Sequence, residues 1–261
     1  MRRELRFLVA LWQANLQAAM EFRAAFVTQV LGMVLNNGLY FLFWVIFFDR
    51  FDHVAGYGLS DMALLFGVAA CSFGLGVYLF GNATNLAELI SEGRLDYYLA
   101  LPRPELLHVL ASRSVASGLG DASYGLISFL AVGPHTADGL ARFVVAVACG
   151  TAVFVGFMVL VNSLAFWMGS ATQVSGQALM ALITFATYPV TLFDGTAKLL
   201  LFTVMPAALM GSVPAAFVRG FGWPELALLL AGAGGFLGTA VLLFQRGLRR
   251  YESGSAVTVQ S

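Results

Sequence analysis

Long apolar runs separated by short polar breaks make up most of the chain, and they occupy residues 26–48, 59–81, 114–133, 141–168, 174–193, 196–217 and 226–245. Runs of about 20 apolar residues reach across a hydrocarbon core when helical. The third is weakly apolar, interrupted by Gly118, Gly120, Ser123, Gly125 and Ser128. Pro189 predicts a kink in the fifth, Asp194-Gly195 a turn after it, and Pro206 and Pro214 break the run at 196–217. Ala70/Gly74 and Ser72/Gly76 are small-x-x-x-small pairs, which predict close helix packing. Trp167 suits an interface anchor.

Two stretches depart from this pattern. Leu5, Leu8, Val9, Trp12 and Leu16 recur at helical spacing behind Arg2, Arg3 and Arg6, with Gln13, Gln17 and Glu21 on the other side. The apolar core at 7–12 is too short for a secretory signal, so an interfacial amphipathic helix over 1–25 is expected. The longest polar run, 82–113, carries Glu88, Glu92, Asp96 and Glu105 against Arg94, Arg103 and Arg113. Within it Leu86, Leu89 and Ile90 share one face of a short helix that Gly93 can end, and Pro102 and Pro104 interrupt the backbone beyond it. By pattern alone this is either a solvated loop or an amphipathic helix whose acidic side is free to meet a partner.

Composition places the whole in a membrane. The chain is 59% hydrophobic and 11% charged, with mean hydropathy +0.83, whereas soluble domains carry about 25% charged residues. One membrane domain over 1–261 and no nucleic-acid partner are expected, and zero net charge says nothing about nucleic acid. Cys71 and Cys149 lie inside apolar runs and read as small buried hydrophobes, without disulfide or metal spacing.

Charge then sets the number of crossings. With six, the N-terminus, the 82–113 run and the C-terminus share a side holding Arg2, Arg3, Arg6, Arg23, Arg94, Arg103, Arg113, Arg246, Arg249 and Arg250, ten of the fourteen basic residues. A seventh crossing at 196–217 brings Arg219 to that side but sends Arg246, Arg249 and Arg250 across, leaving eight against six. The positive-inside rule favours six, with both termini cytoplasmic and 196–218 a re-entrant or interfacial pair of short helices outside. The expected fold is therefore an all-α membrane protein with six transmembrane helices.

Glu92-Gly93-x-Leu95-Asp96-x-x-Leu99-x-x-Pro102 resembles the first cytoplasmic loop of ABC-2 type transporter permeases. The resemblance implies a coupling helix that docks on a separate ABC ATPase, with Leu86, Glu88, Leu89, Ile90, Glu92, Gly93, Arg94 and Asp96 as coupling residues. On that reading the apolar side of the helix fills a cleft on the ATPase. It further implies a permease subunit of an ATP-driven exporter in a bacterial plasma membrane, supplying half of a pathway between two permeases. ATP and magnesium are then bound by the partner ATPase, with no cofactor in this chain. Pro102-Arg103-Pro104 and Gly247-Leu-Arg-Arg-Tyr251 resemble a subgroup that works with a second, different permease.

Chemistry inside the spans is sparse. Asn36, Asn37 and Asp121 are the candidate pathway residues. The asparagines suit interhelical hydrogen bonding or the lining of a path. Asp121 either lines a path or lies near enough to the cytoplasmic end to be hydrated or to meet Arg113. Lys198, the only lysine, is not in a phosphate-binding loop. His53, His108 and His135 are read as loop residues, so no serine–histidine pair is expected and the chain is not read as an enzyme. Two other readings stand beside the permease: a non-transporting membrane scaffold, and a proton-coupled carrier using Asp121.

Overall fold

The computed structural model describes residues 2–251, which are helical apart from short connections and one isolated antiparallel bridge, Val54–Tyr57. Residues 1 and 252–261 of the expected 1–261 domain lie outside the described residues.

Helix α1 (Arg2–Met20) lies across one end of the bundle. Its Trp12 Nε1 donates to Leu79 O at 2.8 Å, and Asn15 Nδ2 donates to Ala111 O and Ser114 Oγ. Helix α2 (Arg23–Phe48) is apolar all round and presents Leu31, Leu35 and Leu39 outward, as a helix facing hydrocarbon or another apolar surface does. Helix α3 (Leu59–Leu79) is the core of the bundle.

Three short helices come after α3: α4 (Leu86–Ser91), α5 (Asp96–Leu99) and α6 (Glu105–Ala111). Helix α7 (Ser117–Val132) packs along α3 and α2. Helix α8 (Ala137–Ser163) packs on another side of α3 and is prolonged by α9 (Ala165–Met168). The small residues of α3 serve both neighbours. A Cβ at Gly74 meets Gly118 and Asp121 of α7, and one at Gly76 meets the Phe154 ring of α8. On the α8 side Thr151 Oγ1 donates to Ser72 O at 3.0 Å. Close approach of backbones is what small residues permit in apolar surroundings.

The last third comprises α10 (Thr172–Ala186), α11 (Gly195–Thr203), α12 (Ser212–Arg219) and α13 (Trp223–Leu248). Helix α10 ends at Ala186, before Pro189, because the residue preceding a proline resists the helical conformation. The chain enters the α11–α12 pair after Thr191, whose hydroxyl donates to Ala55 O, and leaves it at Arg219, which pairs with Asp61 at 2.6 Å. The two halves of that pair are bent by 63°.

Among the described residues, four helices are long and apolar enough to cross a membrane: α2, α3, α8 with α9, and α13. The bent pair raises the number to five if it is one span. Helices α7 and α10 have 16 and 15 residues, about 24 and 22 Å by helical rise, short of a core roughly 30 Å thick. Both nonetheless sit within the bundle, and irregular or 3-10 turns prolong them.

The two ends of the bundle differ in charge. Helix α1, residues 81–113, α9 and the C-terminal end of α13 gather at one end, where the Phe166 ring meets Phe244 at 5.6 Å and Ala87 meets Asn162. Loop 49–58 and Arg219 lie at the other. The arginine-rich elements counted from sequence thus share one end.

Candidate functional site

The polar run between α3 and α7 begins with a turn of 3-10 helix, Gly81–Thr84, and continues into α4. Its asparagines tie it to itself: Asn82 Nδ2 donates to Val109 O and Ser112 Oγ, each at 2.9 Å. The side chain of the cap residue Asn85 accepts no backbone amide of the first turn of α4. A residue from elsewhere accepts one. Asn162 Oδ1, on α8, accepts from Ala87 N at 2.9 Å, and Asn162 Nδ2 donates to Ala83 O at 3.1 Å and Met158 O at 2.8 Å. First-turn amides lack partners within a helix, so one buried side chain completes the start of α4 and fastens it to α8.

The end of α4 is set by Gly93. Its φ of 72° is left-handed, Gly93 N donates to Ile90 O, and Arg94 N donates to Leu89 O. This pair of bonds is the Schellman stop, which glycine adopts without steric penalty.

The apolar face of α4 departs from expectation. Leu86, Leu89 and Ile90 are 0%, 4% and 6% exposed, buried in the chain's own core rather than turned toward a partner. The reason is geometric. The 3-10 turn and the Asn162 clamp press α4 onto α8, so its apolar stripe meets the bundle. The outward residues are Ser91, Glu92 and Arg94, joined beyond the stop by Tyr97, Leu99 and Ala100. Glu92 meets Arg94 Nε at 3.2 Å, Asn85 Nδ2 donates to Glu88, and Asp96 opens α5.

Helix α6 brings the segment to α1. His108 is not in a loop: it is buried on α6 between the edges of Phe7 (5.0 Å) and Tyr98 (5.2 Å). Arg103 stacks over the Phe7 ring at 4.6 Å and pairs with Glu4 at 3.3 Å. Burial, and then the Arg103 charge, lower the His108 pKa below its ordinary value of 6.5.

The candidate pathway residues are divided. Asn36 is exposed on α2. Asn37 is buried and donates to Asp121 Oδ1 at 2.7 Å and to Met33 O at 3.0 Å. Asp121 is 4% exposed, and its Oδ2 has no partner among the described residues. It therefore meets neither bulk water nor Arg113, the two neighbours that a place near the cytoplasmic end would give it, but ties α7 to α2. Asn162 and Asn82 were not singled out from sequence. The signal for Asn162 was a lone amide among apolar residues, Val161-Asn162-Ser163, since a buried amide must find hydrogen-bond partners.

Helices this apolar, packed through small residues and exposing leucines along α2 and α13, define a multi-pass helical membrane protein. The chain belongs to the ABC-2 family: the family described as "ABC-2 family transporter protein" matches residues 34–255. It is thus a membrane permease of an ABC-type transporter, a class that works in the bilayer with an ABC ATPase. No curated protein and no solved structure matches the chain.

Proposed function

We propose that this chain is the permease subunit of an ATP-driven exporter and couples to a separate ATPase through residues 82–113. The observation that carries the reading is the hold of Asn162 on α4. A segment with an outward polar face is fastened by a buried side chain to α8, the longest element of the bundle. Displacement of such a segment by a partner is passed to α8 rather than absorbed by a loose loop.

In this reading the chain crosses the plasma membrane six times, by α2, α3, α7, α8–α9, α10 and α13. Both termini and the coupling segment lie on the cytoplasmic side, and α11–α12 form a re-entrant pair outside. Support comes from the arginine-rich end and from the return of the bent pair to Ala55 in the 49–58 loop and to Asp61 in the first turn of α3. The exposed apolar length of α2 suits a second permease, a different chain or a second copy, with the pathway between them. ATP and magnesium belong to the ATPase.

The test is reconstitution. Purified with its ATPase into sealed vesicles, the complex should export substrate with ATP hydrolysis, and the ATPase without this chain should not. Transport that proceeds without ATP, or failure of any ABC ATPase to assemble with the chain, would overturn the proposal.

A further inference from the structure

A cleft of about 550 Å³ opens beside the coupling segment. Its lining includes the buried Asn82 and the exposed Arg94, Tyr97 and Arg113. Among the described residues, no carboxylate lines it. Arg113 has no acidic partner among the described residues. Among the described residues, Arg94 is paired only with Glu92, in a pair about half exposed on both sides. Such pairs hold their members weakly. Asn82 spends its N–H groups on Val109 and Ser112, so the wall behind the guanidiniums is rigid. Tyr97, 67% exposed, supplies an aromatic wall.

We propose that this cleft is the socket for an acidic side chain of the ATPase subunit. The proposal rests on the coupling reading above and specifies its chemistry. The permease supplies the hole and the ATPase the plug, the reverse of what the apolar spacing of α4 suggests. Two observations require the reversal. Leu86, Leu89 and Ile90 are spent inside the chain, so α4 has no apolar knob left to insert. The cleft itself presents two guanidiniums and an aromatic ring. Guanidinium binds carboxylate through paired hydrogen bonds, and arginine and tyrosine are the residues that anchor interfaces. A lipid phosphate has the same charge sign. However, Glu92 and Asp96, next in the chain to the cleft residues Gly93 and Tyr97, repel a polyanionic bilayer surface while tolerating one carboxylate.

The experiment titrates purified ABC ATPase subunits onto the permease in nanodiscs of zwitterionic lipid. The double variant Arg94→Gln/Arg113→Gln should bind about 10- to 100-fold more weakly, as loss of a charge-assisted anchor predicts. Arg113→Glu should be worse than Arg113→Gln, and added salt should weaken wild type more than the double variant. Unchanged melting temperatures show that the variants fold. Wild-type binding retained in full by the double variant overturns the socket and leaves the coupling reading standing. In parallel nanodiscs that include anionic lipid, loss of anionic-lipid retention by that variant, with ATPase binding intact, overturns it in favour of a lipid phosphate. No binding by the wild-type chain defeats the coupling reading as well.

Discussion

Asn162 on α8 accepts the Ala87 amide of α4 at 2.9 Å, across 75 positions of sequence. With its second bond to Ala83 O, it is a cap supplied from a distant helix. Replacing it with leucine keeps the bulk and strands two buried backbone groups, at about 1–3 kcal/mol for each group left without a partner. Asn162→Leu should lower the melting temperature in detergent and abolish stimulation of ATP hydrolysis at matched protein levels. Wild-type stimulation in this variant would show that the clamp does not transmit motion.

Gly93 tests the same segment from its other end. A left-handed backbone costs an L-residue roughly 1–2 kcal/mol, and a β-branched one more. Gly93→Val should weaken ATPase co-purification, whereas Gly93→Asn should be tolerated, since asparagine visits that conformation. Equal co-purification of the two variants would remove the helix stop from the coupling mechanism. Leu89→Ala is the folding control: the side chain is buried within the chain, so truncation should cost about 2–5 kcal/mol of stability.

The Asn37–Asp121 hydrogen bond should be worth most as a pair. Asn37→Leu leaves both carboxylate oxygens of Asp121 without a side-chain partner and should destabilise by about 1–3 kcal/mol. Asn37→Leu/Asp121→Leu should recover much of the loss, because an apolar pair leaves nothing unsatisfied. A double-mutant cycle by thermal unfolding gives the coupling. Additive effects would mean that the two side chains are energetically independent.

Attachment of α1 should depend on pH through His108. Its pKa is lowered when buried between Phe7 and Tyr98, so the docked state holds fewer protons than the undocked one. The charged neighbours facing it are Arg103 and, through Arg103, Glu4. Docking is therefore strongest above the ordinary value of 6.5 and weakens as pH falls from there toward the lowered value. Proteolytic release of α1 should accelerate over that window, and His108→Gln should flatten the dependence. An unchanged profile in His108→Gln would assign the effect to another group.

Topology can be read by thiol labelling, because both native cysteines are buried. An impermeant maleimide should label Arg50→Cys and Lys198→Cys in intact cells, and Arg249→Cys only after permeabilisation. Labelling of Arg249→Cys together with Arg50→Cys in intact cells would exclude six crossings.

Much of the membrane architecture was written in the chain itself. Apolar runs long enough to cross, a basic amphipathic start, a glycine that must take positive φ and the proline that ends α10 are local properties. Solvent and backbone sterics act on them before any tertiary contact forms. The arginine count sorted the ends for the same reason, since charge stays out of hydrocarbon wherever it lies in the sequence. What the sequence could not disclose was which way α4 faces. Leu86, Leu89 and Ile90 mark an apolar stripe, but spacing does not say whether the surface it covers belongs to this chain or to a partner. Asn162 and Asn82 decided that, through hydrogen bonds spanning 75 and 27 positions. The same holds for Asn37 and Asp121. Each is a costly polar group in an apolar run, and only packing α2 against α7 could bring them within a hydrogen bond of one another.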